Sequence, residues 1–83
     1  MITCQQYDYI EIACMYQFPI ILTLNTSEKV EGIAKNTKRN ELREECMELF
    51  VNGKNILIVL DTIVKLKVSV ENSHFSEVIF HKE

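Results

Sequence analysis

Two aliphatic runs joined by Asn52-Gly53 constrain the fold of this chain more than any other feature. The first run spans residues 46–51 and the second spans residues 54–60. Asn-Gly between two β runs is the strongest short-range signal for a two-residue hairpin, because both turn residues must adopt a positive φ. The sequence therefore predicts a tight antiparallel hairpin at this position.

Other segments carry β patterns as well. Gly32 lies within one of them, where a glycine permits a bend or a close approach of the backbone. Asp61-Thr62 marks a short break, and residues 36–45 are polar and charged, which predicts a long loop or a single turn of helix. The further strands predicted from aliphatic or alternating patterns cover residues 20–24, 29–34, 63–70 and 76–80.

The N-terminal segment differs and predicts a helix over about residues 4–16. Thr3 is a suitable N-cap residue, and Pro19 disfavours a helical conformation at the residue before it. Successive residues of an α-helix are rotated by 100° about its axis, so four residues of this helix fall on one narrow stripe. The stripe carries two sulfur-containing side chains and two carboxylates, namely Cys4, Asp8, Glu11 and Met15. The adjoining side is apolar enough to pack on a sheet.

Together these patterns predict a mainly β fold with one N-terminal helix, in the form of a small, bent antiparallel barrel of the Sm-like or SH3-like kind. The chain has 83 residues, of which 47% are hydrophobic and 25% charged. This length and composition predict one globular domain over residues 1–83, with a core close to the lower size limit for stability.

The distribution of charge argues against broad binding of nucleic acid. The formal net charge is −3, and no Lys or Arg precedes Lys29. Binding to a phosphate backbone normally requires a basic face. The one basic cluster, Lys38-Arg39-Asn40, has three readings: a solvated loop, a supplementary contact to a protein, or a contact to RNA. Nearby glutamates offset much of its field.

Asp8 and Glu11 lie on one face of the predicted helix, and such a pair has three possible roles. Acid–base catalysis requires a cleft, desolvation and a partner group, none of which an exposed helix supplies. A solvated face and a partner-binding face remain. The chain contains no Ser-His-Asp set, HExxH motif or glycine-rich phosphate loop. We therefore expect a protein that is not an enzyme and needs no cofactor.

The cysteines and histidines predict neither a metal site nor a disulfide. Cys4 and Cys14 are separated by about 15 Å of helical rise, and the spacing of the three cysteines matches no zinc motif. Free thiols indicate a reducing cytoplasm. We expect Cys46 to be a small core residue. His74 and His81 are expected to be solvated side chains. The sequence shows no signal-peptide pattern and no membrane span.

The N-terminal block resembles a signature of a known family. The run Cys4-x-x-Tyr7-Asp8-x-Ile10-Glu11-x-Ala13-Cys14 is similar to that of the Rho-binding antiterminator family, the small bacterial proteins also called the Rof or YaeO family. The similarity continues through residues 20–24, then Glu28-Lys29-Val30-x-Gly32-x-Ala34, and returns at Leu60-Asp61-x-Ile63. It covers nearly the whole chain.

This resemblance implies a fold and a function. It implies an Sm-like barrel preceded by a helix, and an acidic protein that covers the primary RNA-binding site on the OB-fold part of the transcription termination factor Rho. That site is positively charged and has a pocket for pyrimidine bases, as in other single-strand binders. An Sm-like module that binds RNA directly is the alternative. The partner-binding residues that the resemblance implies are Cys4, Gln5, Tyr7, Asp8, Glu11, Lys38, Arg39 and Asn40.

Overall fold

The computed structural model describes residues 4–80, in which one α-helix is followed by six antiparallel strands. The sheet order is β4-β3-β2-β1-β5-β6. The predicted mainly β fold with an N-terminal helix is therefore confirmed, whereas the N-cap predicted at Thr3 lies outside the described residues. The elements are α1 (Cys4–Met15), β1 (Pro19–Leu24), β2 (Lys29–Arg39), β3 (Glu45–Val51), β4 (Lys54–Val59), β5 (Ile63–Val68) and β6 (Glu77–Ile79).

The central hairpin forms as the sequence predicts. Val51 pairs with Lys54, and the two residues between them have positive φ values of 50° at Asn52 and 83° at Gly53. These values match the mirror-image turn that suits the right-handed twist of two paired strands.

Strand β2 extends further than the sequence predicts. It continues to Arg39, so the prediction of loop or helix over residues 36–45 is wrong for residues 36–39 and for Glu45, where β3 begins, and only a short turn separates β2 from β3. Lys35 is an extra residue opposite β3, between the pairs Ala34–Leu49 and Asn36–Glu48. This bulge lets polar residues continue the strand, because hydrogen bonding to β3 outweighs their weak β propensity.

Gly32 lies where two strand backbones approach closely, which is one of the two roles, a bend or a close approach, that its position in the sequence allows. A Cβ atom at this position would lie 2.7 Å from the carbonyl oxygen of Phe50 and 2.7 Å from a methyl group of Val51. No larger residue fits without a shift of the β3 backbone.

A Schellman motif ends helix α1 and directs the chain into β1. The backbone N–H of Phe18 donates to the carbonyl of Ala13 over 3.0 Å, and that of Gln17 donates to Cys14 over 3.2 Å. Gln17 has a φ of 50°, the left-handed conformation that this motif requires. The amide of Ala34 in β2 then donates to the carbonyl of Phe18, which joins the end of the helix to the sheet.

The core lies between the sheet and one side of α1. Ile10 and Ala13 of the helix are fully buried, and α1 packs chiefly against β2. Cys46 is buried, which confirms its expected place in the core. The sheet contributes the other buried residues of the main cluster, among them Ile20, Leu22, Ala34, Met47, Leu49, Ile63 and Leu66.

An aromatic cluster joins the far side of the helix to the loop before β6. The ring of Tyr9 contacts Phe75 edge to face at 5.1 Å, and Tyr16 stacks on His74 at 4.5 Å between ring centroids. His74 is exposed, as expected for a solvated histidine, but it also has this aromatic partner. His81 lies outside the described residues.

Candidate partner-binding surface

The exposed side of α1 carries two carboxylates that have no partner within the described part of the chain. Asp8 and Glu11 are both exposed, and so are Cys4 and Gln5 at the start of the helix. Neither carboxylate forms an ion pair or a side-chain hydrogen bond with any residue from 4 to 80. We call Cys4, Asp8, Glu11 and Met15 the acidic stripe. Its charges are available to a partner without first breaking an internal contact.

Tyr7 lies beside the acidic stripe and brings the helix close to the end of β2. It is half-buried, and it lines a cleft of about 170 Å³ together with Lys38 and Arg39. The other residues that line this cleft are Thr37, Glu45 and Cys46. The structure thus brings Tyr7, Lys38 and Arg39 together, although about thirty positions separate them in the sequence.

The positive charges of this region are largely neutralised from within the sheet. The Lys38 ammonium lies 3.2 Å from a carboxylate oxygen of Glu48, and the Arg39 guanidinium lies 3.5 Å from Glu45. The side chain of Glu48 is only 12% exposed. A pair with one sheltered partner is screened less than a fully exposed pair. Few unpaired cations are therefore available here for a phosphate backbone.

A second cleft, of about 280 Å³, separates the other half of α1 from β2. Glu11 lines one wall and Lys35 lines the other. The Lys35 ammonium donates to the side-chain oxygen of Gln17 over 3.4 Å and lies 5.7 Å from the centre of the Phe50 ring. Lys35 is therefore directed toward the sheet as well as toward the helix.

Asn40 has a different role from its two basic neighbours. Its side-chain oxygen accepts the backbone N–H groups of Leu42 and Glu44, each over 3.0 Å. It lines a third cleft, shared with Lys38 and Arg39, and does not line the cleft that contains Tyr7. Its amide therefore shapes the turn between β2 and β3.

The thiol of Cys14 is held in its neutral form. Its pKa is raised from 9.0 to about 11, chiefly by burial and, to a smaller extent, by the nearby carboxylates of Glu11 and Glu48. A neutral thiol is a poor nucleophile and a poor metal ligand. Within residues 4–80 no group of three or more His, Cys, Asp or Glu side chains is arranged to hold a metal ion.

Sequence reasoning predicted the helical face, and it expected nearby glutamates, Glu45 among them, to offset the basic cluster, but it missed two residues of this region. Glu48 also neutralises the cluster, and Leu42 projects from the β2–β3 turn. The bulge at Lys35 sets which β3 residue faces which β2 residue, and its position has no clear sequence signal. The sequence signal that could have identified Leu42 is its position as an isolated leucine in a polar segment.

These features define a small protein of mainly β structure that presents an acidic helical face beside a short basic strand end. No helix within residues 4–80 has the length and apolar character needed to cross a membrane.

Comparisons with known proteins narrow this class of protein to one family. Residues 1–80 match the family described as "Modulator of Rho-dependent transcription termination (ROF)". A solved structure, "YaeO bound to Magnesium from Vibrio cholerae O395", is similar with a TM-score of 0.87 and 36% sequence identity, covering 92% of this chain and 99% of that chain. No curated protein sequence matched the chain. The chain therefore belongs to the ROF family of modulators of Rho-dependent transcription termination.

Proposed function

We propose that this protein inhibits the termination factor Rho by binding its primary RNA-binding region, on the OB-fold part of Rho, and blocking the capture of nascent RNA. The result is antitermination by occlusion, without catalysis, in the cytoplasm where Rho meets its RNA. The observation that carries the proposal is that Asp8 and Glu11 on α1 are exposed and have no ion pair within residues 4–80.

Charge complementarity supports this mode of binding. A site that holds RNA phosphates presents Lys and Arg side chains, and exposed carboxylates on a rigid helix can pair with the same groups. Tyr7 adds apolar contact area beside the carboxylates, because aromatic residues are enriched in interface cores. Cys4 and Gln5 lie at the edge of the same surface, where they would contact Rho at the rim.

The basic strand end supplements this surface and does not form an RNA site of its own. Lys38 and Arg39 are paired with Glu48 and Glu45, so direct binding of RNA would require those pairs to open. This pairing favours the inhibitor of Rho over the alternative, an Sm-like module that binds RNA directly.

A double charge reversal tests the proposal. We expect Asp8→Lys combined with Glu11→Lys to lower the affinity for Rho at least about tenfold, because attractive pairs become repulsive. The free energy of unfolding should change by less than about 0.5 kcal/mol, since both side chains are exposed. Affinity would be measured by calorimetry with purified Rho, and stability by urea unfolding.

A matched control variant separates the effect of the charges on the acidic stripe from the effect of the net charge of the protein. Glu31→Lys combined with Glu71→Lys changes the net charge by the same amount at two exposed positions away from the acidic stripe. This control should retain most of the affinity. Equal losses in both double variants, or an unchanged affinity after reversal of the stripe, would contradict binding through α1.

A further inference from the structure

The turn between β2 and β3 is held rigid by its own side chains. Asn40 accepts the backbone N–H groups of Leu42 and Glu44 and donates from its amide to the Glu44 carboxylate over 3.0 Å. The guanidinium of Arg39 donates to the carbonyl of Arg43 over 2.9 Å. The backbone also closes on itself, from the N–H of Arg43 to the carbonyl of Asn40. Such a turn loses little conformational freedom when it binds.

This rigid turn presents an apolar side chain to solvent. Leu42 is 80% exposed, which is the largest exposed fraction of any large hydrophobic side chain in residues 4–80. Leu57 of β4 lines the same cleft, and the aliphatic stems of Lys38 and Arg39 extend this apolar area. Leu42 and Leu57 thus form a local apolar area on one cleft, and an apolar area of this kind favours a role in binding more than a single exposed leucine would.

The turn is continuous with the surface proposed to bind Rho. Lys38 and Arg39 line the cleft that contains Tyr7 and also the cleft that contains Leu42. The acidic stripe and the tip of the turn therefore border one surface, with the neutralised basic pairs between them. A partner that covers Tyr7 and the acidic stripe and extends along Lys38 and Arg39 reaches Leu42.

We propose that Leu42 is the apolar anchor of the interface with Rho, and that it fills an apolar pocket bordering the cationic groups that pair with Asp8 and Glu11. Asn40 is a positioning residue, because it holds the turn in the conformation that presents Leu42. The inference rests on the proposed function. It assigns a specific, desolvated contact to an interface that otherwise depends on charge.

Truncation of the anchor is the first test. Leu42→Ser should lower the affinity for Rho about tenfold, equivalent to about 1.4 kcal/mol, with little change in thermal stability because the side chain is exposed. Ile79→Ser is the matched control: Ile79 is 52% exposed on β6 at the opposite edge of the sheet, and this variant should bind as the unchanged protein does.

A double-variant cycle tests the role of Asn40. Asn40→Ala should weaken binding, and Asn40→Asp, which keeps an acceptor for the two backbone N–H groups, should restore part of it. In the Leu42→Ser background the change Asn40→Ala should cost little further affinity, because the residue it positions is already gone. Fully additive losses would contradict a positioning role.

The possible outcomes separate this inference from the proposed function. If the unchanged protein fails to bind Rho, both are overturned. If it binds Rho and Leu42→Ser binds equally well, only the anchor is overturned. If Leu42→Ser instead dissociates a dimer, seen by sedimentation, while its affinity for Rho is unchanged, the turn contacts a second copy and the inference is wrong.

Discussion

Asp8 and Glu11 differ from the acidic residues of β3 in what surrounds them. Glu45 and Glu48 are paired with cations of the neighbouring strand, whereas Asp8 and Glu11 have no ion pair within residues 4–80. The exposure of the helical carboxylates was predictable, because it follows from a local period of 3.6 residues. The pairing of Glu48 with Lys38 was not, because it depends on the register of two strands.

Cys14 gives a prediction about pH dependence at the scale of a single residue. Its thiol has a pKa of about 11 in the folded protein against 9.0 for an unperturbed thiol. The unfolded chain therefore releases this proton first as the pH rises. The stabilisation from the neutral thiol is fully present below pH 9 and is lost as the pH rises toward 11.

Urea unfolding between pH 9 and pH 11, under reducing conditions, checks the direction of this change in stability. Between pH 9 and pH 11 the free energy of unfolding of the unchanged protein should fall more steeply than that of the Cys14→Ala variant. Lysines and tyrosines titrate in both proteins, so only the difference between the two curves reports on Cys14. Parallel curves would show that burial of this thiol does not affect its titration.

At the scale of secondary-structure elements, the sequence predicted the features that depend on neighbouring residues. It did not predict those that depend on pairing between strands. The hairpin at Asn52-Gly53 was predictable because the turn residues themselves require positive φ. The second half of β2 was not, because Asn36 and its polar neighbours form a strand only through pairing with β3 after a bulge. The same bulge arranges the basic end of the strand beside α1, so the candidate site was only partly predictable.

The attachment of α1 to the sheet gives a prediction at the same scale. Ile10 is fully buried beneath the helix, so Ile10→Ala should lower the free energy of unfolding by about 2–5 kcal/mol. Met15 is on the same helix but 71% exposed, so Met15→Ala should change the free energy of unfolding by less than about 0.5 kcal/mol. Urea unfolding of both variants checks this contrast. Similar losses would contradict the described orientation of the helix.

At the scale of the whole molecule, fold and charge distribution act together. The six-stranded sheet supports one face of α1, which leaves the acidic face outward, and the net charge of −3 favours encounter with a basic partner. The fold class followed from the sequence because one helix and a series of short β patterns have few compact arrangements. The surface that we propose for contact with Rho depends on the geometry of the folded chain, which those patterns do not specify.

Competition for Rho tests the central claim most directly. A fluorescent cytosine-rich RNA would be bound to Rho, and its anisotropy followed while this protein is added. Occlusion predicts that the anisotropy falls to that of free RNA, and that this protein alone leaves the anisotropy of the RNA unchanged. RNA that stays on Rho at saturating protein, or RNA that binds this protein directly, would contradict inhibition by occlusion.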